Sequence, residues 1–185
     1  MNGTGPRASA LLRFDESPVS AGARIREAFI TLTMARKCEG DPGTIRAHRM
    51  MADCDLERAT CNYVDSANRI RWGADSQSSP KEGQDCEAAA SGQADTGGAL
   101  AGDVLKIDVT AAVRHRVNEP GANYGLLLAA EEGKAGGWFN SSESPDVFHR
   151  PRLYVTYTVQ LVAAPEDRFQ VMSVQKRLAP ARTRE

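Results

Sequence analysis

"RLYVTYTVQLV", residues 152–162, sorts its side chains into two sets. Leu153, Val155, Tyr157, Val159 and Leu161 fall on one face of an extended chain, and Tyr154, Thr156, Thr158 and Gln160 fall on the other. Successive side chains of a strand point to opposite faces, so a period of two describes a strand with one greasy and one wet side. A wet side belongs to an antiparallel sheet, because a parallel strand buried on both faces reads as uniformly apolar. The pattern recurs upstream. In "ARIREAFITLTMARK" (23–37), Ala28, Ile30, Leu32 and Met34 oppose Phe29, Thr31 and Thr33. "TIRAHRM" (44–50) sets Ile45 and Ala47 against Arg46 and His48, and "DVLKIDVT" (103–110) sets Leu105, Ile107 and Val109 against Lys106 and Asp108. "ALLRF" (10–14) is a further short strand, and "YGLLLAA" (124–130) is a continuous apolar run of the kind found in central strands. At least six such segments, punctuated by breakers such as Asp15, Pro18 and Gly22, imply two sheets packed face to face or a barrel. The fold class is all-β. One stretch has helical spacing: Val109, Ala112, Val113, Arg116 and Val117 in "VTAAVRHRVNEPG" (109–121), stopped by Pro120-Gly121 and expected to strap one end of the sandwich.

The 185 residues suffice for one domain with a real core. A net charge of −1 with 25% charged residues points away from nucleic acid and anionic membranes as partners. No apolar run approaches the roughly 20 residues of a membrane helix. The opening "MNGTGPRASALLRF" carries no secretory leader pattern. The expected sandwich covers 8–163, with 73–102 as a long flexible loop, and 164–185 is a tail or linker; "RFQVMSV" within the tail is the one segment that could extend a sheet.

Cys38, Cys54, Cys61 and Cys86 form no C-x-x-C pair, so their spacing fits a zinc site poorly. Two disulfides are the preferred reading, with Cys54–Cys61 as first-choice pair and Cys86 as tether of the long loop; buried free thiols are the alternative. The histidines His48, His115 and His149 share no metal spacing, and there is no G-x-S-x-G elbow, H-E-x-x-H or phosphate loop. No catalytic residue and no cofactor is therefore assigned. Asp15, Asp103 and Asp108 read as acceptors of backbone hydrogen bonds at strand ends, since carboxylates alone do not identify a calcium cage. Tyr63, Arg69, Arg71 and Trp72 place aromatic rings beside guanidinium groups, a combination able to stack a sugar and hold a carboxylate. The competing role for Trp72 is a plug at one end of the sandwich.

Several segments occur in a telling order: "ALLRFDES" and "VSAGARIREAFITLTM", then "ATCNYVDSANRIRW", "LKIDVTAAVRHRV", "NYGLLLAAEEG", "FNSSES" and "RPRLYVTYT". Together, from Leu11 to Thr158, they resemble the DNRLRE domain family. The resemblance implies an extracellular or cell-surface, jelly-roll-type antiparallel β-sandwich, found singly or in tandem in large secreted proteins, some of whose relatives are carbohydrate-binding modules. This chain departs from the family pattern where Cys61 stands for a Trp, and where His115 to Val117 stand where another Trp is expected. The family also begins with strands ahead of L-L-R-F-D, so a trimmed or mis-started chain with an open sheet edge is expected. In "WFNSS" (138–142), Trp138 and Phe139 point to opposite faces, so one of them must leave the core. Phe139 matches the family's buried position, which leaves Trp138 as the surface aromatic. The function expected is polysaccharide or cell-surface glycan binding by Trp138, Trp72, Tyr63, Arg69 and Arg71, without catalysis. The alternative is a structural or assembly module of a surface protein, filament or coat, contacting neighbouring domains or itself.

Overall fold

The structure is a computed structural model that describes residues 9–15, 19–20, 22–36, 43–56, 58–59, 63–72, 80–119, 121, 123–130, 137–160 and 171–178. It is mostly β. Sheet one runs in the order β1 (Ser9–Leu12), β8 (Leu126–Ala130), β3 (Thr44–Arg49), β6 (Gly92–Asp95). Sheet two runs β11 (Val171–Leu178), β10 (Arg152–Gln160), β2 (Arg24–Arg36), β7 (Val104–Asp108), with the two-residue β9 (Trp138–Phe139) added on the far end of β2. Every pairing is antiparallel. A small hairpin, β4 (Tyr63–Asp65) with β5 (Ile70–Arg71), stands apart from both sheets.

Alternation builds the core between the sheets. Ile45, Ala47, Leu126 and Leu128 come from sheet one, and Ala28, Ile30, Leu32, Ile107, Leu153, Val155 and Tyr157 from sheet two. Thr31, Thr156 and Thr158 are half-buried on the outer side of sheet two, as a wet face requires. Thr33 departs from that pattern and is buried, with its carbonyl accepting from both the backbone N–H and Nδ2 of Asn140. Across the outer face, Phe29 stacks on Tyr154 with centroids 5.0 Å apart, and Lys106 Nζ lies 3.5 Å from the Phe29 centroid. This row of cross-strand neighbours ties β7, β2 and β10 together.

The helix α1 (Thr110–Asn118) buries Ala112, Val113 and Arg116, and with Val109 buried at its N-cap four of the five residues of the expected stripe are inside. Asp108 Oδ1 accepts the Thr110 N–H at 2.7 Å, while Thr110 Oγ1 and the Val109 N–H lock onto the backbone of Ala28. Arg114 donates to the carbonyls of Ile25 and Arg26, so the helix is fastened to β2 along its length.

The outer face of sheet one is the main correction to the sequence reading. It is wet only in part. A second apolar cluster of Met50, Cys54, Trp72, Cys86 and Leu127 covers the region over β8, with Leu11, Leu56, Val64, Tyr124 and Ala129 packed around it, while Arg46 and Gln93 on the same face stay exposed. β8 is therefore buried on both faces from Leu126 to Leu128, which is why it reads as an unbroken apolar run. His48, expected on a wet face, is only 2% exposed, with its Nδ1 2.9 Å from the Glu87 carbonyl oxygen. The carbonyl can only accept, so Nδ1 carries the proton.

Two segments assigned as loop or tail are strands. Within 73–102, the segment Gly92–Asp95 is β6, paired with Thr44 to Ala47 of β3. A Cβ on Gly92 would lie 2.1 Å from the Asp108 carbonyl oxygen, so a side chain there would collide with sheet two. Within 164–185, Val171–Leu178 is β11, in register with β10 from Leu153↔Leu178 to Gln160↔Val171, and Leu178 enters the core.

The disulfide reading is also corrected for the residues described. Cys54 and Cys86 are buried free thiols in the second cluster, so the Cys54–Cys61 pair does not form; Cys38 and Cys61 lie outside the described residues. Cys86 does tether its loop, but through burial and a backbone bridge to Met50. Burial raises the Cys54 thiol pKa, partly opposed by Arg13, and it pushes Cys86 up to about 12, helped by Glu82, Asp85 and Glu87. Thiols held protonated in this way are poor nucleophiles.

Candidate functional site

The turn into β9 decides where the two aromatics go. Gly137 has φ 111°, a left-handed conformation that glycine adopts without a Cβ penalty. A Cβ there would press on Met34 Sδ and the Phe139 ring at 3.0 Å. The chain then lays Phe139 opposite Met34 and Trp138 opposite Arg36. Phe139 packs against the core, and Trp138 is left 60% exposed with the Arg36 guanidinium carbon 5.1 Å from its ring centroid. The sequence expectation for this pair is met.

Beside Trp138 a cleft of about 300 Å³ opens between the two sheets. Leu12, Ile45, Leu128 and Ala130 of sheet one and Leu32 and Phe139 of sheet two wall it, while Trp138, Asn140, Ser141 and Ser142 bring an indole and polar groups to it. The polar side is held stiffly. Asn140 donates twice to the Thr33 carbonyl and accepts from Ser144 Oγ at 3.4 Å, Ser141 Oγ accepts from the Glu143 N–H, and Arg150 Nε donates to the Ser144 carbonyl at 2.8 Å. A rigid aromatic with adjacent hydroxyl and amide groups is an arrangement that stacks a ring and hydrogen-bonds its substituents.

The other expected binding residues do not join this cleft. Trp72 is 0% exposed inside the second cluster, so it presents no face to a ligand; it is buried as the competing role required, but over the outer face of sheet one rather than at an end of the sandwich. Tyr63 is half-buried and pairs with Arg71 across the β4–β5 hairpin; the Arg71 side chain lies outside the described residues. Arg69 is exposed in the hairpin turn at φ 54°, an uncommon conformation for a residue with a side chain. Asp65 shapes that turn by accepting from Asn68 and Ala67, and these hydrogen bonds, from Asn68 above all, lower its pKa. None of Tyr63, Arg69, Arg71 or Trp72 lines the Trp138 cleft.

The polar residues weighed for chemistry have local duties. Asp103 Oδ2 accepts the Leu100 N–H and Asp108 Oδ1 the Thr110 N–H, as strand-end carboxylates do. His149 Nδ1 lies 2.9 Å from Asp146, and His115 Nε2 lies 3.7 Å from Glu119. Among the described residues no group of three or more His, Cys, Asp or Glu gathers as a metal site. A second open hollow, of about 520 Å³, lies by Arg24, Arg114 and Asn118, but its Arg114 is already bonded to main-chain carbonyls.

Sequence reasoning placed Asn140 on the face of Trp138, but missed Ser141, Ser142 and Arg36 as its neighbours, and missed the aliphatic walls. The available signal was "WFNSS" itself, where polar residues follow directly on the outward aromatic. Compared with known proteins, the chain matches no family model, no curated protein and no solved structure.

Proposed function

We propose that this chain is a non-catalytic, extracellular β-sandwich module that binds carbohydrate at the Trp138 cleft. The observation that carries the reading is the exposed Trp138 indole, which lines the opening between the sheets together with Asn140, Ser141 and Ser142. Exposing a Trp costs the hydrophobic stabilisation its burial would give, about 1.5–3 kcal/mol for a large apolar side chain. Flat aromatic surface with polar neighbours matches the two faces of a pyranose ring, one of C–H groups and one of hydroxyls. The resemblance to the DNRLRE domain family supports the same reading, including its jelly-roll winding. The chain's repeated crossing between sheets, at β1 to β2, β2 to β3, β6 to β7 and β7 to β8, is in keeping with that winding. Affinity electrophoresis against a panel of neutral and acidic polysaccharides tests the function. Retardation by at least one polysaccharide, lost in Trp138→Ala with the circular dichroism unchanged, is the expected result. Retardation that survives Trp138→Ala moves the site elsewhere, and no retardation by any polysaccharide overturns the reading.

A second reading, an assembly module, has its own support in the short edge strand β1, whose four residues all line the cleft. An added strand could pair there. Light scattering after size exclusion distinguishes the two, since a concentration-independent monomer argues against assembly.

A further inference from the structure

We infer that the ligand of this cleft is an amphiphilic sugar: a glycan unit carrying a small apolar substituent, such as an aryl or short acyl group, which enters the slot between the sheets. The inference rests on the carbohydrate reading and sharpens it. The cleft has two chemistries. Apart from Ser9 on β1, its polar groups and the Trp138 indole belong to the 138–142 segment, with Asn140, Ser141 and Ser142, while the walls formed by Leu12, Leu32, Ile45, Leu128 and Ala130 are aliphatic. Leu32, Ile45 and Leu128 are themselves core residues, almost wholly buried, so the slot reaches into the space between the sheets.

An unsubstituted sugar cannot use such a slot. Its hydroxyls would meet Leu32, Ile45 and Leu128, which offer no hydrogen-bond partner, and each unpaired polar group carries a desolvation penalty. A purely apolar ligand would leave Asn140, Ser141 and Ser142 unused and cover an indole suited to ring stacking. A ligand with a polar ring and an apolar arm satisfies both halves. Size limits the arm. An apolar cavity of about 150 Å³ is enough for benzene, and the whole cleft here is about 300 Å³, which leaves room for a ring or a few methylenes beside the sugar but not for a lipid chain.

The test uses matched methyl and phenyl β-glycosides of glucose, galactose, mannose and glucuronic acid, titrated into the full chain by calorimetry, with phenol as the sugar-free control. In at least one pair the phenyl glycoside should bind roughly tenfold or more tighter than the methyl glycoside, the gain expected for burying an aromatic ring. Ala130→Leu, which fills the slot, should erase that preference. Ala10→Leu, at an exposed position on the cleft's β1 wall, provides the same test if the Ala130 variant does not fold. Trp138→Ala should weaken both members of the pair.

Equal binding of methyl and phenyl glycosides overturns the slot inference and leaves carbohydrate binding standing. A phenyl preference that survives both filled variants also overturns it. Phenol binding as tightly as the phenyl glycosides overturns it too, and removes the sugar from the ligand. If none of the glycosides binds, the slot inference falls, and the carbohydrate reading falls with it only where no polysaccharide retards the chain either.

Discussion

The molecule has two apolar clusters, one on each side of sheet one, and they are assembled by different rules. The core between the sheets is made mostly of strand residues at every second position, such as Ile30 and Leu32 on β2 and Leu153 and Val155 on β10, with Phe14, Val19, Ala23, Val109 and the helix residues Ala112 and Val113 completing it. The outer cluster takes Leu127 from a strand and its other members, Met50, Cys54, Trp72 and Cys86, from connecting segments. The first is a product of the strand repeat. The second is a product of where loops happen to be tied, by the Met50–Cys86 bridge and by Arg13 reaching the Cys54 carbonyl and Asp53. A sheet can thus be finished on its second face without a third sheet, provided the covering segment has backbone partners of its own.

Whether the two clusters stand or fall together is the sharpest question this contrast raises. Trp72→Ala removes the largest fully buried side chain and should cost about 3–5 kcal/mol, close to the 2–5 kcal/mol expected of Leu153→Ala in the main core. If the outer cluster is a separate unit, Trp72→Ala will leave the urea midpoint of the sheets intact. Hydrogen exchange would then rise only across 50–91. Gly92→Ala probes the junction where sheet one meets sheet two. With no space for a Cβ beside the Asp108 carbonyl, it should cost about 1–3 kcal/mol, measured by the same denaturation.

The alkaline limb of stability isolates the outer cluster. Cys86 has its folded pKa raised to about 12, so its contribution is fully present below the unfolded thiol's value of 9.0 and is lost as pH rises towards the folded value. At pH 10 the loss should be about 1.4 kcal/mol relative to neutral pH. Comparison with Cys86→Ala in the same buffers separates it from other groups that titrate there. If the wild-type and variant curves run parallel, the thiol is not confined as described. The smallest expected effect lies on the outer face of sheet two, where Phe29→Leu should cost about 1 kcal/mol for the lost ring stack and cation–π contact. A double-mutant cycle with Lys106→Gln should show coupling between the two.

Legibility in the sequence followed the same divide. The strands β2, β7 and β10 were readable because alternating Leu, Ile and Val meet Thr, Lys and Tyr at a strict period. β6 was not, because "GQAD" has no apolar rhythm and holds its place by backbone pairing with β3 and by a bare Cα at Gly92. β11 was legible only as "RFQVMSV", the tail segment able to extend a sheet, with a linker as the default, and its register with β10 settles it as a strand. His48 was misassigned since alternation tells which side a residue takes, not what lies on that side. In the candidate site, Trp138 was legible from its apolar neighbour Phe139, whereas the slot behind it belongs to residues far apart in sequence, such as Leu12, Leu32, Ile45, Leu128 and Pro151.

The burial of β8 on both sides leaves a signature that could be read without any coordinates. In a saturation library selected for folding, tolerance along β10 should rise and fall with every residue, because only alternate side chains meet the interior. Along β8 it should stay low at Leu126, Leu127 and Leu128 alike, a flat trace from a strand that has no outside.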